Sequence, residues 1–346
     1  MTAPAVRRWL LPGLLGLAGA IQAVGQAAPA SAVVDPGMPR DPNAAMLLAA
    51  RVNGLAGAGM KPWHLKANYQ TFDADGKPKD QGTFEEWWAG PEKYKLSYSS
   101  AGLNQVRYET GAALLMTGDG KAPSLAEAMV ENLLVRPMPG ASEIKAETYV
   151  AHDAKDGPVV LTCLRGGSKS DIIPAYCFEK NSPALRLEVL RDGNMVFFNG
   201  VVPMNGQYLA KQIDVKFANL AVLNVQVTAL EPLAKVNDAA FVPPAGAVRA
   251  SLPPLFDPPG GMHLISSGKE PKAPAIALAA HVYGTVILAV TISTSGSVSD
   301  VRVISGPAIL RQAAIDSVKT YQFVPFKVKG QATEVEILVR SEFRRD

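Results

Sequence analysis

Period-two alternation dominates the chain from residue 60 onward. Leu65, Ala67, Tyr69 and Thr71 alternate with His64, Lys66, Asn68 and Gln70, and Tyr94, Leu96 and Tyr98 alternate with Lys93, Lys95, Ser97 and Ser99. Successive strand side chains point to opposite faces, so the pattern predicts strands with one face buried and one wet. Asp73-Ala-Asp-Gly76 supplies a turn, Gly82-Thr-Phe-Glu-Glu-Trp-Trp-Ala89 a further strand, and Gly90-Pro91 another turn. More strands are predicted over 159–163, 176–178, 185–190, 195–199, 208–217 and 221–229, with Asp192-Gly193 as a hairpin signal. The period changes once in this region. Leu125, Met129 and Leu133, with Val130 and Leu134, form a helix face opened by the capping box Ser124-Leu-Ala-Glu127 and closed before Pro137. Ala-rich residues 41–59 predict a second helix starting near Asp41-Pro42.

The last seventy or so residues form a separate pattern. Val286, Leu288, Val290 and Ile292 share one strand face, Ser295-Gly296 turns the chain, and a second strand covers 298–305. Pro307 stands where a helix can begin without losing a needed N–H. Leu310, Ala314 and Val318 follow at helical spacing with Ala313 and Tyr321 beside them, and Pro325 is expected to stop the helix. Val335, Ile337, Val339 and Phe343 then alternate with Glu334, Glu336, Arg340 and Glu342. Between the two patterns, residues 243–274 hold Pro243, Pro244, Pro253, Pro254, Pro258, Pro259, Pro271 and Pro274 without periodicity, the composition of a semi-extended linker. The expected class is α+β: an antiparallel curved sheet (a half-barrel) with a covering helix over 60–242, the linker, and a small β-β-α-β domain over 275–346. Residues 33–59 precede the large domain.

The stretches Gly284-Thr-Val-x-Leu-x-Val-x-Ile292, Ser295-Gly-x-Val298, Val301-x-Val-x-Ser-Gly-Pro307 and Ala313-Ala-Ile-x-x-Val-Lys-x-Tyr-x-Phe-x-Pro325, with the final strand, resemble the C-terminal domain of the TonB family over about 272–344. The resemblance implies a domain that binds other proteins and does no chemistry itself. It also implies recognition by β-augmentation, in which an extended peptide adds to an exposed strand edge. Carried to the strand over 333–343, it makes Val335, Glu336, Ile337, Leu338, Val339, Arg340, Glu342 and Phe343 the docking edge. The charges of that strand have a second reading, as protection of an edge against aggregation. Energy-transducing members keep a membrane helix with polar Ser and His residues, which residues 9–21 lack, and their usual Tyr-Pro before the first strand is here Ala273-Pro274.

The middle region is similar to the LolA/LolB lipoprotein-carrier fold. That resemblance rests on Gly82-Thr-Phe-Glu-Glu-Trp-Trp-Ala-Gly-Pro-Glu-Lys-Tyr94, the strand pattern over 203–217, and residues 223–241 ending in Val236-Asn-Asp-Ala-Ala-Phe241. It implies an incomplete barrel around an apolar cavity. The expected lining is Trp87, Trp88, Tyr94 and Tyr98 from the sheet and Leu125, Met129 and Leu133 from the helix. Alternation places one indole of the Trp pair inside and one outside, so ordinary core packing is the competing reading.

Composition adds the compartment. Arg7-Arg8 followed by the apolar residues 9–21 and by Ala30-Ser31-Ala32 reads as a signal peptide cut after Ala32, with Ala30 and Ala32 as the small residues of the site. An uncleaved inner-membrane anchor is the competing reading; spanning takes about twenty apolar residues. The 34 basic and 31 acidic side chains give a net charge of +3, or +1 once Arg7 and Arg8 are removed, so nucleic acid is not an expected partner. In an exported protein the two cysteines, Cys163 and Cys177, read as one disulfide, with two buried thiols as the alternative. His64, His152, His263 and His281 lack metal-ligand spacing, Glu85 and Glu86 point to opposite sheet faces, and Gly166-Gly-Ser-Lys-Ser170 lacks the strand-to-helix frame of a phosphate loop. Neither an enzyme nor a cofactor is expected. The reading is a binding protein of the periplasm or cell envelope whose C-terminal domain docks an envelope protein, an outer-membrane receptor being one candidate. Carriage of a lipid or lipoprotein by the first domain is the alternative, and a membrane-anchored TonB-type transducer the second alternative.

Overall fold

The computed structural model describes residues 37–57, 60–156, 159–167, 175–189, 195–204, 206–217, 219–250, 264–266, 268–328 and 330–344. The leader with Ala30 and Ala32, the Asp192-Gly193 turn and residues 168–170 of the glycine-serine loop lie outside them.

Helix α1 (Pro42–Val52) starts at Asp41, whose carboxylate accepts the Ala44 N–H at 2.7 Å. The meander follows as β1 (Trp63–Phe72), β2 (Pro78–Gly90), β3 (Lys93–Ser100), β4 (Asn104–Glu109) and β5 (Leu114–Gly118). Helices α2 (Leu125–Val135) and α3 (Ala141–Ala146) interrupt it. Ser124 and Glu127 form the expected reciprocal cap on α2. The chain resumes with β6 (Tyr149–Asp156), β7 (Val159–Gly166), β8 (Ala175–Glu179), β9 (Leu185–Val189) and β10 (Met195–Asn199). A small hairpin of β11 (Val202–Met204) and β12 (Gln207–Leu209) leads to β13 (Gln212–Phe217), β14 (Leu220–Pro232) and the two-residue β15 (Val248–Arg249).

These strands make an open curved sheet of thirteen, in the order β15-β5-β4-β3-β2-β1-β14-β13-β10-β9-β8-β7-β6, with β1 clasped between β2 and β14. Alternation decides the inner face: Trp63, Leu65, Ala67 and Tyr69 of β1 and Phe84 and Trp88 of β2 enter one core with Leu125, Met129 and Val130 of α2. Asn53, at the end of α1, donates to the Ala49 and Pro183 carbonyls and accepts the Leu185 N–H, tying the helix to the start of β9. Cys163 of β7 and Cys177 of β8 stand directly opposite each other and form a disulfide. They lie in a small cluster with Leu161, apart from the main core.

The C-terminal part comprises β16 (Leu264–Ser266), α4 (Ala275–Ala279), β17 (Gly284–Ile292), β18 (Val298–Ser305), α5 (Ala308–Val318), β19 (Gln322–Phe323), the hairpin β20 (Lys327–Val328) and β21 (Gln331–Ala332), and β22 (Val335–Phe343). Leu310, Ala314 and Val318 of α5 are fully buried against Val286, Leu288, Val290 and Ile292 of β17. Gly306 makes the corner between β18 and α5. Its φ is +123°, and a Cβ there would meet the Thr285 carbonyl at 2.7 Å, so only glycine fits without strain.

Two expectations need correction. Helix α5 ends at Val318, well before Pro325, because the Thr320 and Tyr321 N–H groups bond back to Ser317 and Val318 in a tight turn that leads into β19. The Pro-rich stretch is also more than a linker. Its described parts supply β15, which pairs with β5, and β16, which pairs with β19. The two parts touch: Ile287 of β17 is buried in the large core, and Ile304 and Leu338 pack against it. Arg311 of α5 reaches the β1–β2 turn, donating to the Ala74 carbonyl at 2.8 Å and pairing with Asp75 at 2.8 Å.

Candidate functional site

The strand expected to dock a partner is the outer strand of a three-stranded sheet ordered β18-β17-β22. Strand β17 is central and covered on both faces, by α5 on one side and, through Ile287, by the large core on the other. Among the described residues, β22 pairs with β17 along one edge only, from Gly284↔Phe343 to Ile292↔Val335. Val335, Ile337 and Phe343 are buried toward α5, and Val339 packs beside them.

The outward set of β22 is less free than its charges imply. Glu336 is gripped by Arg302 of β18, which reaches diagonally across β17 from its partner Ala289 to the residue opposite Thr291. Glu342 pairs with Arg344, and Leu338 rests on the large core. What the edge offers a partner is therefore main-chain donors and acceptors rather than side-chain charge.

The interior beneath α2 differs from an apolar cavity. Trp88, Tyr98, Leu125 and Met129 are packed into the core, and Trp88 stacks on Trp63 at 5.8 Å. Tyr94 is half-buried beneath the Arg136 guanidinium. Trp87 points to the opposite face, where it stacks on His64 at 4.4 Å and lies under the Lys95 ammonium, so it cannot line the interior with the others. At the Leu133 end of the helix a crevice lined by Leu133, Leu134, Phe198 and Ile213 holds about 10 Å³, room for roughly one water.

Four charged groups sit within or beside this core, a feature missed from the sequence. Glu86 is fully buried, and among the described residues neither carboxylate oxygen has a protein partner. Burial, then the Glu131 carboxylate, pushes its carboxyl well above the usual range, while Arg136 opposes the shift. Burial raises Glu131 too, against the pull of Arg136 at 3.1 Å. The Arg107 guanidinium, pulled down by burial, is held by Gln105 at 2.5 Å. The signal was present: alternation already places one of Glu85 and Glu86 inside. The outer one, Glu85, pairs with His64 and Lys66.

Residues 269–344 match the family described as Gram-negative bacterial TonB protein C-terminal. That match suggests an interaction with an envelope protein. No curated protein matches the chain. Among solved structures the chain is similar to the LolA superfamily protein NE2245 from Nitrosomonas europaea, at 10% identity and a TM-score of 0.40, over 59% of this chain and 99% of that one. It is similar to a DUF1329 family protein from Desulfovibrio piger at 12% identity and a TM-score of 0.39, over 58% and 98%. It is also similar to a chain of the Pseudomonas aeruginosa MucA/MucB complex at 14% identity and a TM-score of 0.29, over 64% and 66%. No helix among the described residues is long and apolar enough to cross a membrane. No group of three or more His, Cys, Asp or Glu side chains among them could hold a metal ion.

Proposed function

We propose that this is an exported binding protein of the periplasm or cell envelope, not an enzyme, whose C-terminal domain docks an envelope protein by adding a partner strand to β22. One observation supports the reading: within the segment that matches the TonB C-terminal family, β22 is a nine-residue outer strand of a sheet whose central strand is packed on both faces. A preorganised edge loses little entropy when a partner strand adds to it. Main-chain bonding would supply affinity, and the shapes of the side chains flanking the edge would supply selectivity.

Site-specific photocross-linking in envelope preparations tests this. A photoreactive residue at Arg340 should capture a discrete envelope protein, one at Lys319 beyond the end of α5 should not, and Val339→Pro in a folded variant should abolish capture. Equal capture from both positions, or capture that survives Val339→Pro, would refute edge docking.

A further inference from the structure

The outer face of the large sheet carries a feature that the docking edge does not explain. Across four adjacent strands the register aligns two rows of polar side chains. Gln81, Gln70, Asn224 and Asp214 form one row, and Thr83, Asn68, Gln226 and Gln212 the other. These eight side chains, with Tyr69, Gly82 and Val225 beneath them, line a broad, open cleft of about 690 Å³. A solvated strand face ordinarily carries mixed charges, and farther along the same strands it does, at Lys66 and Glu85. In the cleft only Asp214 is charged.

The amides are also oriented. Asp214 accepts from Asn224 at 2.6 Å, from Gln212 at 2.9 Å and from Asn199 at 2.8 Å. A carboxylate only accepts, so each of these amides must turn its NH₂ inward. Gln70 is fixed in the same way on the Thr71 and Asp80 carbonyls, and Gln226 on the Lys211 carbonyl. Their carbonyl oxygens are left without a protein donor among the described residues, while the side chains of Asn68, Gln81 and Thr83 keep both donor and acceptor capacity. The cleft therefore offers a fixed array of acceptors with a few adaptable groups beside it.

We propose that this cleft binds a neutral oligosaccharide, whose hydroxyls supply the donors the array lacks and accept from Asn68, Gln81 and Thr83. A cation fits less well, because both Asp214 oxygens are already taken up by amide donors. A peptide could not add here as a further strand, because all four strands are paired on both sides.

The test titrates full-length protein with maltotriose, cellotriose and triacetylchitotriose, followed by NMR. At least one should saturate at or below about 10 mM, a weak affinity suited to a site with no aromatic platform. Asn68→Ala with Gln81→Ala removes no internal hydrogen bond of the protein and should weaken binding about tenfold, the loss expected for one to two hydrogen bonds. Asp214→Asn should weaken it as well, by releasing the amides. The proposal is overturned if no sugar saturates, if binding is indifferent to the Asn68/Gln81 pair, or if calcium alone perturbs the cleft while the sugars do not.

Discussion

Removing Arg311 should weaken the whole molecule, although it sits on a helix of the smaller part. Its guanidinium donates to the Gly306 carbonyl at 2.9 Å within its own sheet–helix corner and to the Ala74 carbonyl at 2.8 Å in the β1–β2 turn, and it pairs with Asp75. The Arg311 side chain is only 19% exposed, whereas Asp75 is 52% exposed. The ion pair with a half-exposed carboxylate therefore contributes under about 1 kcal/mol. The two charge-assisted bonds to carbonyls contribute about 1 kcal/mol each once water returns to the abandoned oxygens. Arg311→Ala should then cost about 2–3 kcal/mol and Asp75→Ala less than about 1 kcal/mol. Arg311→Lys should lose most of the difference, because an ammonium cannot make the forked contact.

Tryptophan fluorescence reads this directly. Trp63, Trp87 and Trp88 all lie in the large domain, and residues 269–344 contain no Trp. If Arg311 couples the two parts, its loss should move the fluorescence midpoint in urea down by about 1 M, together with the circular-dichroism midpoint. A fluorescence transition left in place while circular dichroism shows earlier melting would refute the coupling. Equal costs for Arg311→Ala and Asp75→Ala would refute the apportionment between carbonyls and carboxylate.

Two further outcomes can be checked by the same denaturation assay. Replacing Cys163 and Cys177 together by Ser should lower stability by about 3 kcal/mol, the chain-entropy value for a loop of about fifteen residues, and an unchanged urea midpoint would contradict it. The Glu188 carboxyl is pushed up to about 7 by burial, with Tyr176 opposing. Its contribution is thus complete below the ordinary carboxylate range and is lost as pH rises toward 7. Glu188→Gln should flatten part of that decline, Glu86 and Glu131 supplying the rest in the same direction, and an unaltered pH slope would exclude Glu188 as a contributor.

Local pattern determined much of this protein. Alternation in β1 and β3 placed Leu65, Tyr69, Leu96 and Tyr98 inside, the Ser124–Glu127 box started α2, and the order strand, strand, helix, strand at the C-terminus was legible because each element has its own period and punctuation. The cysteine count anticipated the disulfide, and the register of β7 against β8 supplied its geometry. Strands β5 and β6 were not legible because their apolar residues do not alternate, and β4 was not because it buries Gln105 and Arg107 in place of apolar residues. Strands β15 and β16 did so because two or three residues acquire strand geometry only from the neighbour they pair with. Tertiary structure alone decided the rest. It filled the expected cavity with side chains, chose Glu86 rather than Glu85 for burial, set Arg107 inside the core, and locked Glu336 onto Arg302. It also covered the second face of β17 and lined up Asp214 with amides from β1, β2 and β14. The physical reason is common to all of these. Period and turn chemistry act over a few neighbouring residues, whereas burial, charge pairing and cavity shape depend on which distant strands the register brings side by side.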